Sequence, residues 1–163
     1  MRIVSVLLLL LGLITQAFAQ DAITPAPAIE LPAETGAPIA LASLKGKVVL
    51  VDVWASWCVP CKAAFPAYDE LYRTYRERGF EVLAVNVDEK RADAERFLRD
   101  RRHVLKVVFD PRGEAPLKFK VRAMPTTFLL DKRGNIRFVH EGFTAKDVAL
   151  YQRRIEALLA EAP

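Results

Sequence analysis

The chain has 163 residues, with 24 Lys and Arg against 20 Asp and Glu for a formal net charge of +4. Its 52% hydrophobic and 27% charged residues are the composition of one folded domain, not of a disordered tail. The basic side chains are scattered rather than striped, which argues against nucleic acid as a partner and leaves a solvated surface.

Met1 and Arg2 give a short positive start, Ile3 to Ile14 is apolar, and Ala17-Phe18-Ala19 places small residues where a signal peptidase reads them. The pattern predicts a signal peptide over residues 1–19, cleaved after Ala19. A retained membrane anchor is the minority outcome, because the apolar run is shorter than the roughly 20 residues of a bilayer span. Residues 20–28 (QDAITPAPA) are polar and Pro-spaced, which reads as a linker. One domain is expected over residues 29–163.

Within that domain, Ile29-Glu30-Leu31 and Pro38-Ile39-Ala40 suggest a strand pair joined through Gly36. Val48 to Trp54 (VVLVDVW) is almost continuously apolar, the mark of a strand covered on both faces. A helix is predicted from Cys58 to about Arg78, with Tyr68, Leu71, Tyr72 and Tyr75 on one face and Gly79 as its stop. Glu81 to Val87 is a second buried strand. A helix carrying Ala94, Phe97 and Leu98 and a short strand at Val107-Val108-Phe109 follow. Asp110 to Gly113 is turn chemistry, and Phe128–Leu130 and Ile136–Glu141 flank a hairpin loop at residues 131–135. Thr144 with Asp147 opens a last helix whose apolar face holds Val148, Tyr151, Ile155, Leu158 and Leu159. This order predicts an α/β domain with a central mixed sheet flanked by helices.

The two cysteines of the chain lie in Trp57-Cys58-Val59-Pro60-Cys61, between a buried strand and a helix. A bridge across so small a loop contributes little chain-entropy stabilisation, so it reads as a disulfide meant to open. At the helix N-terminus, free N–H groups and the helix dipole favour a Cys58 thiolate, the attacking species in disulfide exchange. Pro60 suits the first turn, where a missing N–H costs nothing. Cys61, one turn in, is placed to attack a mixed disulfide on Cys58. Asp52 interrupts the apolar strand. A buried carboxylate there has a raised pKa and suits a proton acceptor for Cys61, although an Asp paired to a lysine or facing a small polar hole is the plainer alternative.

The block VDVWASWCVPCK at residues 51–62 resembles the active-site block of thioredoxins. Together with the signal-like N-terminus, Leu44-Lys45-Gly46-Lys47 and Met124-Pro125-Thr126-Thr127-Phe128, it resembles the TlpA/ResA-like branch of exported thiol–disulfide oxidoreductases, including those serving cytochrome c maturation. The resemblance covers about Ile29 to Pro163. It implies a thioredoxin fold with an N-terminal strand pair and a central strand–helix insertion near Val85 to Phe109. It further implies Cys58 as nucleophile, Cys61 as resolving thiol, and a cis Pro125 facing the disulfide. Met124 would offer backbone groups to an extended substrate, Trp57 would flank the entrance, and Val59 and Pro60 would complete the substrate-facing rim. Pro66 would kink the active-site helix. Many members of this branch carry Glu three residues after the second Cys, where this chain has Ala64, and often a neutral residue in place of Asp52.

The expected function is reduction of disulfides in extracytoplasmic partner proteins such as cytochrome c or oxidase maturation factors. A membrane thiol–disulfide transporter is the expected electron donor. The chain is expected to be a monomer, periplasmic or otherwise extracytoplasmic after signal cleavage, without a metal or a cofactor beyond its redox-active disulfide. A peroxiredoxin would need Thr three residues before the reactive Cys, and position 55 is Ala. Haem attachment would need His where Lys62 stands. His103 and His140 lack partnering spacing and are expected at the surface. The non-enzyme alternative is Cu(I) delivery through the same soft dithiol.

Overall fold

The structure is a computed structural model that describes residues 24–162. The predicted signal peptide and the start of the predicted linker lie outside the described residues. The elements, in chain order, are β1 (Thr24–Pro25), β2 (Glu30–Leu31), β3 (Ile39–Ala40), β4 (Val48–Trp54) and α1 (Val59–Tyr75). After them come β5 (Phe80–Asn86), α2 (Arg91–Arg99), β6 (Lys106–Phe109), α3 (Glu114–Phe119), β7 (Thr126–Leu130), β8 (Asn135–Glu141) and α4 (Asp147–Ala160). Six strands form one sheet in the order β1-β8-β7-β4-β5-β6, and β2 with β3 forms a separate antiparallel pair. β4, β5 and β6 run parallel, while β7 lies antiparallel to β4 and to β8, so the sheet is mixed as expected.

β4 is central and buried throughout because both of its faces are covered. Its alternation divides the interior in two. Val48, Leu50 and Trp54 pack with Phe65, Tyr68 and Leu71 of α1 and with Tyr151, Ile155 and Leu158 of α4. Val49, Val51 and Val53 pack on the other face with Leu31, Leu41, Leu44 and with Ala115 and Phe119 of α3. By the same alternation Asp52 belongs to the α1/α4 face. Trp54 carries much of that core, wedged against Phe65 and Phe97 at ring separations of 5.3 and 5.1 Å. Truncating a fully buried aromatic of this kind costs about 3–5 kcal/mol.

Several local expectations are refined. α1 ends at Tyr75 and tightens into a 3-10 turn over Arg76–Arg78 before Gly79, whose φ of 87° turns the chain into β5. The helix α3 was not predicted. It is six residues long with Pro116 inside, and its start is held by Asp110, whose carboxylate accepts from the Glu114 and Ala115 N–H groups at 3.1 and 2.7 Å. Part of the expected linker is structured, since Thr24 and Pro25 pair with Ile136 and Asn135 along the edge of β8. At the opposite edge, residues 32–34 cover β6 through Phe109 N–H to Pro32 O and Glu34 N–H to Val107 O, each at 2.9 Å. An edge strand capped in this way offers little free ladder to another chain.

Asp147 does open α4, but only half of a capping box forms. Its carboxylate accepts from the Thr144 N–H at 2.6 Å, and the Thr144 hydroxyl donates to it as well instead of accepting. The two histidines correct the expectation of surface residues. The side chain of His103 is only 10% exposed, edge-on to Phe65, with Nε2 3.5 Å from Glu34, and His140 lies near Asp147 at the foot of α4.

Candidate active site

The site grows out of the C-terminal end of β4. Beyond Trp54, the Cys58 N–H donates to Ala55 O at 3.1 Å, closing a tight turn that sets Cys58 at the N-cap of α1. Cys58 and Cys61 are joined in a disulfide with Cα atoms 5.3 Å apart. Cys58 Sγ accepts the Cys61 N–H at 3.3 Å, so one otherwise unpaired donor of the first helical turn points at the predicted nucleophile. Pro60 stands in that turn, and α1 continues through Pro66. Both sulfurs belong to buried residues, Cys58 at 6% and Cys61 at 1% exposure, whereas Trp57 (64%) and Val59 (75%) stand open beside them. The Met124–Pro125 peptide is cis, with Pro125 buried and its carbonyl accepting from Gly142 N–H at 2.7 Å.

Two groups that sequence reasoning missed hold the turn. Asp88, 3% exposed in the loop after β5, accepts from the Ser56 N–H at 3.0 Å and from the Ser56 hydroxyl at 3.1 Å. Asn86 in turn donates from its amide to Asp88 at 2.8 Å and accepts the Asp88 N–H at 3.0 Å. A carboxylate satisfied by several N–H and O–H groups tolerates burial without a cation, and here it ties the residues before Cys58 to the end of β5. The signal available was two polar positions on either side of Val87 closing an apolar strand, but the Ser56 partner of Asp88 lies 32 residues away.

Asp52 is 1% exposed, and its register neighbours are Ala84 on β5 and Thr127 on β7. Among the described residues no lysine or arginine forms an ion pair with it, so the lysine-paired alternative is not what the structure contains. Burial pushes its carboxyl up to about 7, opposed by a long hydrogen bond of 3.4 Å from the Thr127 hydroxyl. Such a group changes protonation in the range where a proton acceptor has to work. Beyond Thr127, the Tyr68 hydroxyl lies 2.8 Å from Thr127 Oγ1 and donates to Tyr151 Oη at 3.3 Å. Burial raises both tyrosines above the ordinary phenol range, so both stay neutral. Sequence reasoning took these tyrosines only as apolar faces of two helices. Nothing local shows that hydroxyls 83 residues apart will meet.

Among the described residues, no three His, Cys, Asp or Glu side chains gather as a metal site.

A family model described as the AhpC/TSA family matches residues 23–139. The thiol-disulfide oxidoreductase ResA of Geobacillus kaustophilus is 34% identical over 119 residues, which are 72% of this chain and 67% of that protein. The chain spans between 57% and 67% of the length of such ResA relatives. A crystal structure from Chlorobium tepidum, described as that of a thiol:disulfide interchange protein DsbE, is 39% identical with a TM-score of 0.83. It covers 87% of this chain and the match covers 100% of it. A thioredoxin family protein from Chlorobium tepidum TLS, 27% identical with a TM-score of 0.75, covers 85% of this chain and is itself covered to 97%. The chain therefore belongs to the AhpC/TSA family, as a thioredoxin-fold relative of the ResA thiol–disulfide oxidoreductases.

Proposed function

We propose that this chain is an extracytoplasmic protein-disulfide reductase in which Cys58 attacks, Cys61 resolves and Asp52 accepts the Cys61 proton. The observation that carries the proposal is the Cys58–Cys61 disulfide at the N-terminus of α1, beside two open apolar side chains. In the reduced chain, the Cys58 thiolate attacks a partner disulfide, forming a mixed disulfide and expelling one partner thiolate. Cys61 then gives its proton to Asp52, and its thiolate attacks Cys58 Sγ, re-forming the internal disulfide and expelling the second partner thiolate. The partner gains two electrons and, with solvent, two protons; the dithiol loses them. Trp57 and Val59 supply apolar contact, Pro60 shapes the rim, and the Met124 backbone before cis-Pro125 pairs with an extended partner segment.

Reduction is the favoured direction for a local reason. Strong oxidants hold their thiolate with extra donors, but Val59 has no polar side chain and Pro60 has no N–H, while an ionised Asp52 disfavours a thiolate. Ala55, buried three residues before Cys58, leaves no hydroxyl where a peroxiredoxin carries its threonine. The signal-like residues 1–19 and the ResA and DsbE relatives support a periplasmic setting. No helix among the described residues is long and apolar enough to cross a membrane. The partners are disulfides of exported proteins such as cytochrome c or oxidase maturation factors, and a membrane thiol–disulfide transporter recharges the dithiol.

Trapping tests the proposal. Cys61→Ser should accumulate mixed disulfides on Cys58 in the periplasmic fraction, and the captured chains name the partners. A Cys61→Ser chain that stays monomeric and unmodified, while Cys58 remains reactive to alkylation, would overturn it.

A further inference from the structure

Beside Asp52 the two hydroxyls of Tyr68 and Thr127 face three contacts that call on their hydrogens. Each hydroxyl carries one. Tyr68 donates its own to Tyr151 Oη at 3.3 Å, so the 2.8 Å contact between Tyr68 and Thr127 needs Thr127 as the donor. The Thr127 hydrogen therefore has claimants on two sides, the tyrosine pair, with Tyr68 Oη at 2.8 Å and Tyr151 also within reach, and Asp52 Oδ1 at 3.4 Å. The shorter contact belongs to the tyrosine.

We propose that Tyr68 and Tyr151 are positioning residues that draw the Thr127 hydroxyl hydrogen away from Asp52, so that the carboxyl keeps its proton affinity and can take the proton of Cys61. This deepens the proposed function and rests on its assignment of Asp52. With Thr127 turned toward Tyr68, Thr127 Oγ1 presents a lone pair to Asp52 and accepts from the protonated carboxyl. When Asp52 ionises, Thr127 turns its hydrogen to the carboxylate, and the contact between Tyr68 and Thr127 then needs the one Tyr68 hydrogen that Tyr151 already holds. The same residues thus serve both protonation states, with the tyrosine pair biasing the balance toward the protonated one.

Few other groups can set that balance. β5 presents Ala84 opposite Asp52 and β7 presents Thr127. α1 contributes Tyr68 and the cysteine pair, and α4 contributes Tyr151. The next titratable groups are His140, opposite Thr127 in the register of β8, and Asp147, which lies 3.4 Å from His140. Neither hydrogen-bonds to Asp52 or to Thr127. The device also links the helix that carries the cysteines to α4 through side chains alone.

The test is the carboxyl titration of Asp52 in the oxidised full chain, followed by ¹³C NMR on selectively labelled protein. It is read beside the pH profile of mixed-disulfide resolution. Tyr68→Phe and Tyr151→Phe each release the Thr127 hydrogen to Asp52 and should lower the titration midpoint by about half a pH unit or more. Thr127→Val removes a hydrogen bond from both protonation states, and because the one given to the ionised carboxylate is the stronger it should raise the midpoint, while Thr127→Ser, which keeps the hydroxyl, should leave it in place. Tyr68→Phe added to Thr127→Val should do nothing further. Opposite signs from neighbouring hydroxyls cannot come from loosened packing, which would move every midpoint one way. Midpoints that move together, or a Tyr68→Phe shift that survives in the Thr127→Val background, would overturn the proposal. The Asp52→Asn variant separates the two ideas. If its resolution profile matches wild type, Asp52 is not the proton acceptor, and the carboxyl titration still decides the hydrogen competition.

Discussion

Replacing Asp52 by asparagine should stabilise the oxidised chain at alkaline pH and destabilise it in acid. In the folded chain burial pushes this carboxyl up to about 7 from an ordinary 3.8. A raised folded-state value means that the folded chain keeps a proton which the unfolded chain has already released. Stability held below about pH 4 is therefore lost progressively as pH rises toward 7. A displacement of about 3 units corresponds to about 4 kcal/mol at roughly 1.4 kcal/mol per unit. The asparagine amide must find partners in the same space, and an unsatisfied amide costs about 1–3 kcal/mol, leaving a net gain of about 2 kcal/mol above neutrality. Urea unfolding of both chains with the disulfide intact reads the difference directly. With a slope of about 1–3 kcal/mol per molar urea, the variant midpoint should exceed wild type by about 1 M near pH 8 and fall below it by about 1 M near pH 4, where the amide cost is no longer offset. Subtracting one curve from the other removes every other titrating group. A difference that does not open between those two pH values would refute the reasoning.

Asp88→Ala should destabilise the fold by about 2–3 kcal/mol, because half-buried Ser56 and buried Asn86 lose the acceptor of their hydrogens, and should also slow the first attack by Cys58; thermal melting and stopped-flow thiol kinetics read the two effects. In the reduced chain, Cys58 should alkylate much faster than Cys61, since it sits at the helix start; equal rates in single-Cys variants would remove its assignment as nucleophile. The redox midpoint against glutathione should fall nearer the thioredoxin value of about −270 mV than the DsbA value of about −120 mV, and a value at the oxidising end would reverse the proposed direction.

The sheet was legible because its central strands are nearly unbroken apolar runs, and the cysteine motif because three residues of spacing and a flanking strand are local facts. Val48–Trp54 has the same limits in sequence and structure. α3 escaped because six residues with an internal proline carry no period, and Asp110, whose carboxylate holds its start, looks the same as a turn residue until the chain folds. β1 escaped because two residues of edge pairing leave no alternation to detect. The cysteines and Asp52 could be picked out because each contradicts or interrupts its surroundings. Asp88, Thr127, Tyr68 and Tyr151 could not, since each looks ordinary in its own segment and gains its meaning from a partner 32 to 83 residues away.

The contrast between a recessed Cys58 and its two open neighbours has a consequence for discrimination between large and small disulfides. A small oxidised thiol that cannot cover Trp57 and Val59 gains little from them on its way to a cysteine that is only 6% exposed. A protein loop that covers both loses about 25 cal/mol of unfavourable hydration per Å² of apolar surface hidden. Turnover of the two classes should therefore differ through encounter footprint rather than sulfur chemistry. Polar replacements at Trp57 and Val59 together should narrow that ratio without changing the redox midpoint, making the rim a place where partner choice can drift while the electron transfer stays fixed.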